Sequence, residues 1–302
     1  MGALTKWLDN IKISEPLFLR NLVIYPLKNG EEDGGSIKVL NEVLKEGFAE
    51  ISEVSSQDVE RIRLDNPSEY RIFLLDGEEI EGALQNRITN TACLIDRRSS
   101  IDIPVSCVEQ GRWSGNRLFR SSDSCAYPSL RKILAKTTLS SLRKSRRFSS
   151  DQTTIWKEVE KRLTTLKVKS YTSSMHDLYT TLSSEIERYT EGVEALKGFS
   201  GIIGAFGSKI IGLDLFSSPL LFNKLSKKLL ESYAIEVLDK TQIRGEPSLR
   251  EANRFLSRLK KIKEAPRFPS IGLGEEIRFG GKGFIGRGLI FDNSLLHLAA
   301  FS

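Results

Sequence analysis

The chain has 302 residues, with 39% hydrophobic and 28% charged residues and a net charge of +6. That length allows a sizeable core in one large or two ordinary domains. The mild basicity favours anionic ligands but lacks the profile of a dedicated nucleic-acid binder. Three cysteines (Cys93, Cys107, Cys125) without a CxxC pair argue against a disulfide framework, and two histidines (His176, His297) argue against a zinc site built on His and Cys.

No apolar run reaches the ~20 residues a membrane helix needs, and no charged segment followed by an apolar core opens the chain. A cytoplasmic protein in a reducing compartment, with no membrane partner, is expected. At the start, residues 17–27 read as a strand ending at Pro26, and 29–35 as a loop. Val39, Leu40, Val43 and Leu44 share one face of a helix expected over 38–46. Strands are expected over 48–54 and 59–64.

Within residues 71–113, apolar runs at 72–75 and 91–95 and period-two alternation at 80–85 and 101–105 read as a meander of about four strands, turning first at Asp76-Gly77. Residues 114–127, rich in Ser, Arg and Gly, read as a loop able to fold over the meander. A helix follows over 128–144 and runs into Arg143, Lys144, Arg146 and Arg147. The stretch from Arg131 to Arg147 offers a weak nucleic-acid surface; no aromatics interleave with its charges, and a solvated helix face accounts for it as well.

Asp151 is placed to cap a helix over 152–168, and Ser174 one over 175–196, with His176 in its first turn. Residues 198–216 read as a Gly-rich hairpin turning at Gly207-Ser208. Asp214 lies among its apolar residues, so it is either paired or functional. Helices over 219–238 and 248–263 precede a three-strand meander over 271–279, 283–291 and 295–301 that contains His297.

The polar load of the 71–113 stretch is unusual for strands. Gln85, Asn86, Arg87 and Asn90 form one cluster, and Glu109, Gln110, Arg112 and Trp113 a second. Amides and guanidinium forks suit bidentate contacts to bases, carboxylates and phosphates. If the clusters converge on a ligand, Arg87 and Arg112 hold its anionic part and Trp113 stacks on a ring. Gln85, Asn86, Asn90 and Gln110 then supply neutral polarity. Glu78 or Glu109 acts as general base if burial raises its pKa toward neutrality. Asp214 and His297 complete the candidate set, as catalytic acid and ligand contact. Cys107 is a weaker nucleophile candidate, with no His nearby in its segment. No metal-ligand set and no cofactor is read from the sequence, although an all-oxygen Mg²⁺ or Ca²⁺ site stays open.

The segments LDGEEIEGALQNRITNTACLI, IPVSCVEQGRW, SKIIGLDLFSSPLLFNKLSKKLLESYAIEVL and LLHLAAF resemble one prokaryotic domain family. That family is named for its association with ADP-ribosylglycohydrolases and rhodanese-type phosphatases. The resemblance runs from Leu22 to Phe301 and is weakest over 125–195. It implies a role near NAD or ADP-ribose metabolism and supplies no mechanism.

The expected fold is α+β: a mostly antiparallel sheet system from N- and C-terminal strands, with a helical insertion over 128–196 in a single domain. The expected function is binding, with hydrolysis or group transfer, of an ADP-ribose-like or other nucleotide ligand. The alternative is a non-enzymatic sensing or interaction module with an anionic partner.

Overall fold

The computed structural model describes residues 4–29, 37–55, 58–115, 118–241 and 245–302. Most of the loop expected over 29–35 lies outside these residues. The fold is α+β with mostly antiparallel sheets. The chain divides into two compact units. One joins Met1–Gly35, Ser184–Ser270 and Gly274–Ser302; the other joins Ser36–Ser183 and Ile271–Leu273.

The first unit holds both ends of the chain in one antiparallel sheet. Its strands run in the order Lys12–Ile13, Leu22–Lys28, Gly201–Phe206, Lys209–Phe216, Ser294–Phe301, Phe284–Phe291, Glu275–Gly281 and Arg267–Pro269, with Leu17–Leu19 paired off Leu22–Lys28. The Gly201–Phe206 and Lys209–Phe216 hairpin turns where the sequence placed it. Its glycines answer a packing demand: a Cβ on Gly204 would stand 2.3 Å from the Tyr233 ring. Tyr233 belongs to the Pro219–Val237 helix, whose N-cap Ser218 accepts a hydrogen bond from the Leu221 amide. The Leu249–Lys260 helix buries Ala252, Phe255, Leu256 and Leu259, an i, i+3, i+4, i+7 stripe, in a core with Val23, Ile203 and Leu298.

The second unit contains the central meander, in two sheets. Six antiparallel strands run Phe119–Cys125, Glu78–Gly82, Arg87–Thr89, Ser99–Cys107, Arg61–Asn66 and Glu50–Glu53. Three more run Cys93–Ile95, Arg71–Leu74 and Ile37–Val39, the last pair parallel. Ile51, Ile62, Leu64, Ile72, Leu74, Ile80 and Ile103 form their shared core. The helices Pro128–Ser145 and Gln152–Thr165 follow, the second capped by Asp151, which accepts from the Thr154 amide.

The meander has five strands rather than about four, and three further differences stand out. Residues 119–125 form a strand instead of a loop; between the buried Phe119 and Cys125 its buried side chains are Ser122 and Ser124, so no apolar alternation marks it. The single helix expected over 175–196 is broken into His176–Thr181, Ser183–Thr190 and the 3-10 turn Val193–Leu196. The strand expected over 17–27 is a hairpin turning at Arg20, whose φ is +57°, and Pro26 lies inside its second strand.

Candidate functional site

The two polar clusters of the meander meet, and most of their groups satisfy each other, although Arg87 Nε and Nη2 are buried without a hydrogen-bond partner. Arg112 Nε donates to Glu109 Oε2 at 2.8 Å, and Nη2 stands 2.7 Å from the same oxygen. Nη1 donates to the carbonyls of Ala83 and Ser114, each at 2.7 Å, and Nη2 also reaches Gly82 O and Asn86 Oδ1. The guanidinium fork is spent inside the protein, so the ligand clamp expected of Arg112 is replaced by a structural clamp. Gln85 Nε2 donates to the Glu109 carbonyl, and the Asn86 amide donates to the Glu109 carboxylate.

The base role set for Glu109 required a raised pKa. Burial does raise it, but hydrogen bonds from Arg112, the Asn86 amide and Thr172 outweigh burial and hold the carboxyl below the usual range. Arg87 is fully buried, donates to Gln85 and stands 3.6 Å from Glu53. Asn90 donates to the carbonyls of Val105 and Phe148, and Glu78, fully buried, accepts from the Leu75 amide. Burial raises the Cys107 thiol, against nucleophilic use. Gln110 and Trp113 remain at the surface.

Asp214 and His297 lie together in the other unit, fully buried. His297 Nε2 is 3.2 Å from Asp214 Oδ1, Tyr233 donates to Oδ2, and Phe216 stacks on the imidazole. Asp214 is thus paired, with His297 and Tyr233. Arg131, at the head of the basic stretch, is also interior: it forks onto Asp76 at 2.8 and 3.0 Å and fixes the Asp76-Gly77 turn. Lys136, Arg143, Lys144, Arg146 and Arg147 are exposed.

That turn launches the strand Glu78–Gly82, and its other face carries a group that sequence reasoning did not nominate. Glu79 and Glu81, two residues apart, project from one face of the strand. Arg120 sits directly across from Glu81 on the neighbouring strand and donates to Glu81 Oε2 through Nε and Nη2. Past a register shift, the Ser122 and Ser124 hydroxyls both donate to Glu79 Oε2.

His176 completes the group. Its Nδ1 is 3.0 Å from Glu79 Oε2 and 3.5 Å from Glu81 Oε1. The hydrogen bond to Glu79 raises its pKa to about 9 against the opposing effect of burial, with Glu81 and Asp177 adding to the rise. Glu79 is fully buried, the His176 side chain is 27% exposed and that of Arg120 80%, so the group opens toward solvent on one side. Glu79 Oε1, buried, has no hydrogen-bond partner. One imidazole and two carboxylates within 4.8 Å of one another are groups able to ligate a metal.

The predicted clusters position this group. The Gly111 amide donates to Thr172 O at 2.7 Å, the Met175 amide donates to Val108 O at 2.8 Å, and Thr172 Oγ1 donates to Glu109 Oε1 at 3.0 Å. The Glu109–Arg112 turn thus straps residues 172–175 down and delivers His176 over the strand. A Cβ on Gly111 would stand 2.8 Å from Thr172 Cα, which is why Gly is needed there. A separate cleft of about 780 Å³ lies between Arg61, Arg146, Arg147 and the acids Asp58, Glu60 and Asp102. Its charges balance, and Arg61 is already tied to both aspartates.

The ARG and Rhodanese-Phosphatase-superfamily-associated Protein domain, ARPP-1, matches residues 10–301. The chain belongs to the ARPP-1 family. No curated protein and no solved structure matches it. Among the described residues, no helix is long and apolar enough to cross a membrane. Within this ARPP-1 chain, the Glu-Ile-Glu alternation at 79–81 was a legible sign of paired carboxylates on one strand face. Nothing local pointed His176 toward them.

Proposed function

We propose that this ARPP-1 protein binds an ADP-ribose-like or other nucleotide ligand at the Glu79–Glu81–His176 face, with hydrolysis or group transfer as its chemistry. One observation carries the reading. A fully buried acid with an unsatisfied oxygen belongs to a group that opens to solvent through Arg120 and His176. Leaving a buried carboxylate oxygen without a partner costs stability, and such costs gather where a ligand supplies the missing contact. Arg120, mostly exposed and fixed at one edge by Glu81, offers its remaining N–H groups to a phosphate. His176, partly exposed beside them, adds an imidazole to the opening. Glu79 and Glu81 are the acids available to the reacting end.

The family's association with ARG and phosphatase-type proteins agrees with a ligand carrying ribose and phosphate. The test is titration of purified protein with NAD, ADP-ribose and mononucleotides, followed by turnover assays. Binding lost in Arg120→Ala, with turnover lost in Glu79→Gln, supports the reading. Binding without turnover favours a sensing module. No binding across the panel overturns it.

A further inference from the structure

We infer that Glu79, Glu81 and His176 form a divalent transition-metal site. The inference deepens the proposed function, because it concerns the same face, and it starts from how the carboxylates are held. Each has one oxygen anchored from outside. Ser122 and Ser124 hold Glu79 Oε2, which also lies 3.0 Å from His176 Nδ1, and Arg120 holds Glu81 Oε2. Hydroxyl and guanidinium partners that fix the far oxygen of a carboxylate are the usual outer support of a metal ligand. The remaining oxygens are Glu79 Oε1, buried and without a hydrogen-bond partner, and Glu81 Oε1, which stands 3.5 Å from His176 Nδ1. One donor atom from each residue falls within 4.8 Å of the others, a spacing that a single ion can bridge.

The donor set selects the class of ion. One imidazole with two carboxylates and no thiolate suits Mn²⁺, Fe²⁺ or Zn²⁺ better than the all-oxygen shells of Mg²⁺ and Ca²⁺. Three protein donors leave coordination positions for water and a ligand oxygen. Charge supplies a second argument. Two carboxylates alone repel a phosphate, and with His176 neutral, as a metal ligand must be, Arg120 offsets only one of them. A divalent ion turns the face net positive, which an anionic ligand needs.

The backbone geometry is suited to holding the set. Glu79 and Glu81 come from one strand anchored at its start by the buried Asp76–Arg131 fork. His176 follows directly on the strapped segment 172–175. Both carriers are fixed by buried contacts, so the donors are placed before an ion arrives.

The experiment is Mn²⁺ binding to the full chain, followed by the loss of the free-ion paramagnetic resonance signal and by calorimetry. One Mn²⁺ per chain is expected, displaced by Zn²⁺. Affinity should fall at least ~10-fold in Glu81→Gln and His176→Gln, and about 10-fold in Ser122→Ala, which keeps all three ligands and serves if the others fail to fold. No Mn²⁺ or Zn²⁺ binding by folded wild-type protein, or unchanged affinity in all three variants, overturns the site. Nucleotide titrations with Mn²⁺ and with EDTA separate this from the functional reading. Nucleotide binding that persists in EDTA, with no Mn²⁺ bound, removes the metal and keeps the ligand. Mn²⁺ bound at these residues with no nucleotide bound upholds the metal and removes the ligand.

Discussion

Glu109 shows how one residue can look functional and act structurally. Its carboxylate takes hydrogen bonds from Arg112, the Asn86 amide and Thr172 while almost fully buried. Glu109→Gln keeps the shape but removes the charge, so Arg112 loses its counter-ion. Arg112 is 24% exposed at its side chain, so the cost should fall below that of a fully buried pair, at about 2 kcal/mol. Urea unfolding at pH 7 measures it. The same residue predicts a pH dependence. A carboxyl held below its ordinary pKa binds its proton more readily in the unfolded chain. It therefore adds stability above that ordinary value, about 4.3, and loses it as pH falls through the lower folded value. Acid should lower the melting temperature of the wild type more than that of Glu109→Gln. Equal slopes would show that the network does not hold the charge.

At the scale of elements, the site depends on segments that are weak by propensity and strong by contact. Residues 172–175 have no regular structure of their own, yet backbone bonds to Val108 and Gly111 hold them. Gly111→Ala places a methyl against the Thr172 backbone and should cost about 1–3 kcal/mol, as overpacking does. Hydrogen exchange should quicken at Met175, whose amide is part of the strap; unchanged protection there would mean that the strap does not depend on Gly111. Helix Gln152–Thr165 offers a contrast, since its start is fixed locally. Asp151→Ala should cost about 1 kcal/mol in a denaturant titration by removing the cap on the Thr154 amide, and should leave the Thr172–His176 strap untouched.

For the whole molecule, the two units have separate apolar cores. Leu64 is fully buried in one and Leu256 nearly so in the other. Truncation of either to Ala should cost about 2–5 kcal/mol, each read by denaturation together with hydrogen exchange of its own unit. A loss under ~1 kcal/mol at either position would show that its core relaxes around the gap. Chain order matters at this scale too. The terminal unit pairs Leu22–Lys28 with Gly201–Phe206, strands separated in sequence by the whole of residues 36–183. Such non-local pairing is slow to find.

The sequence by itself determined what near neighbours decide. The period-two strands around Ile80 and Ile103, the turns at Asp76-Gly77 and Gly207-Ser208, the Asp151 cap and the apolar stripe of residues 252–259 all rest on contacts within a few residues. The α+β class and the return of both termini to one sheet were legible from the same signals, as was the family from long matched segments. Only the tertiary structure decided what the polar residues do. A guanidinium has the same appeal in sequence whether it faces a ligand or, like Arg112, five groups of its own chain. The strand Phe119–Cys125 hid because the buried positions between its ends are serine, which reads as loop until Glu79 supplies a partner for the hydroxyls. His176 stood in a short helix with no local sign of purpose. Its meaning comes from Glu79 and Glu81, nearly a hundred residues away in the chain, since charge and ligation act through space and leave no period in the sequence.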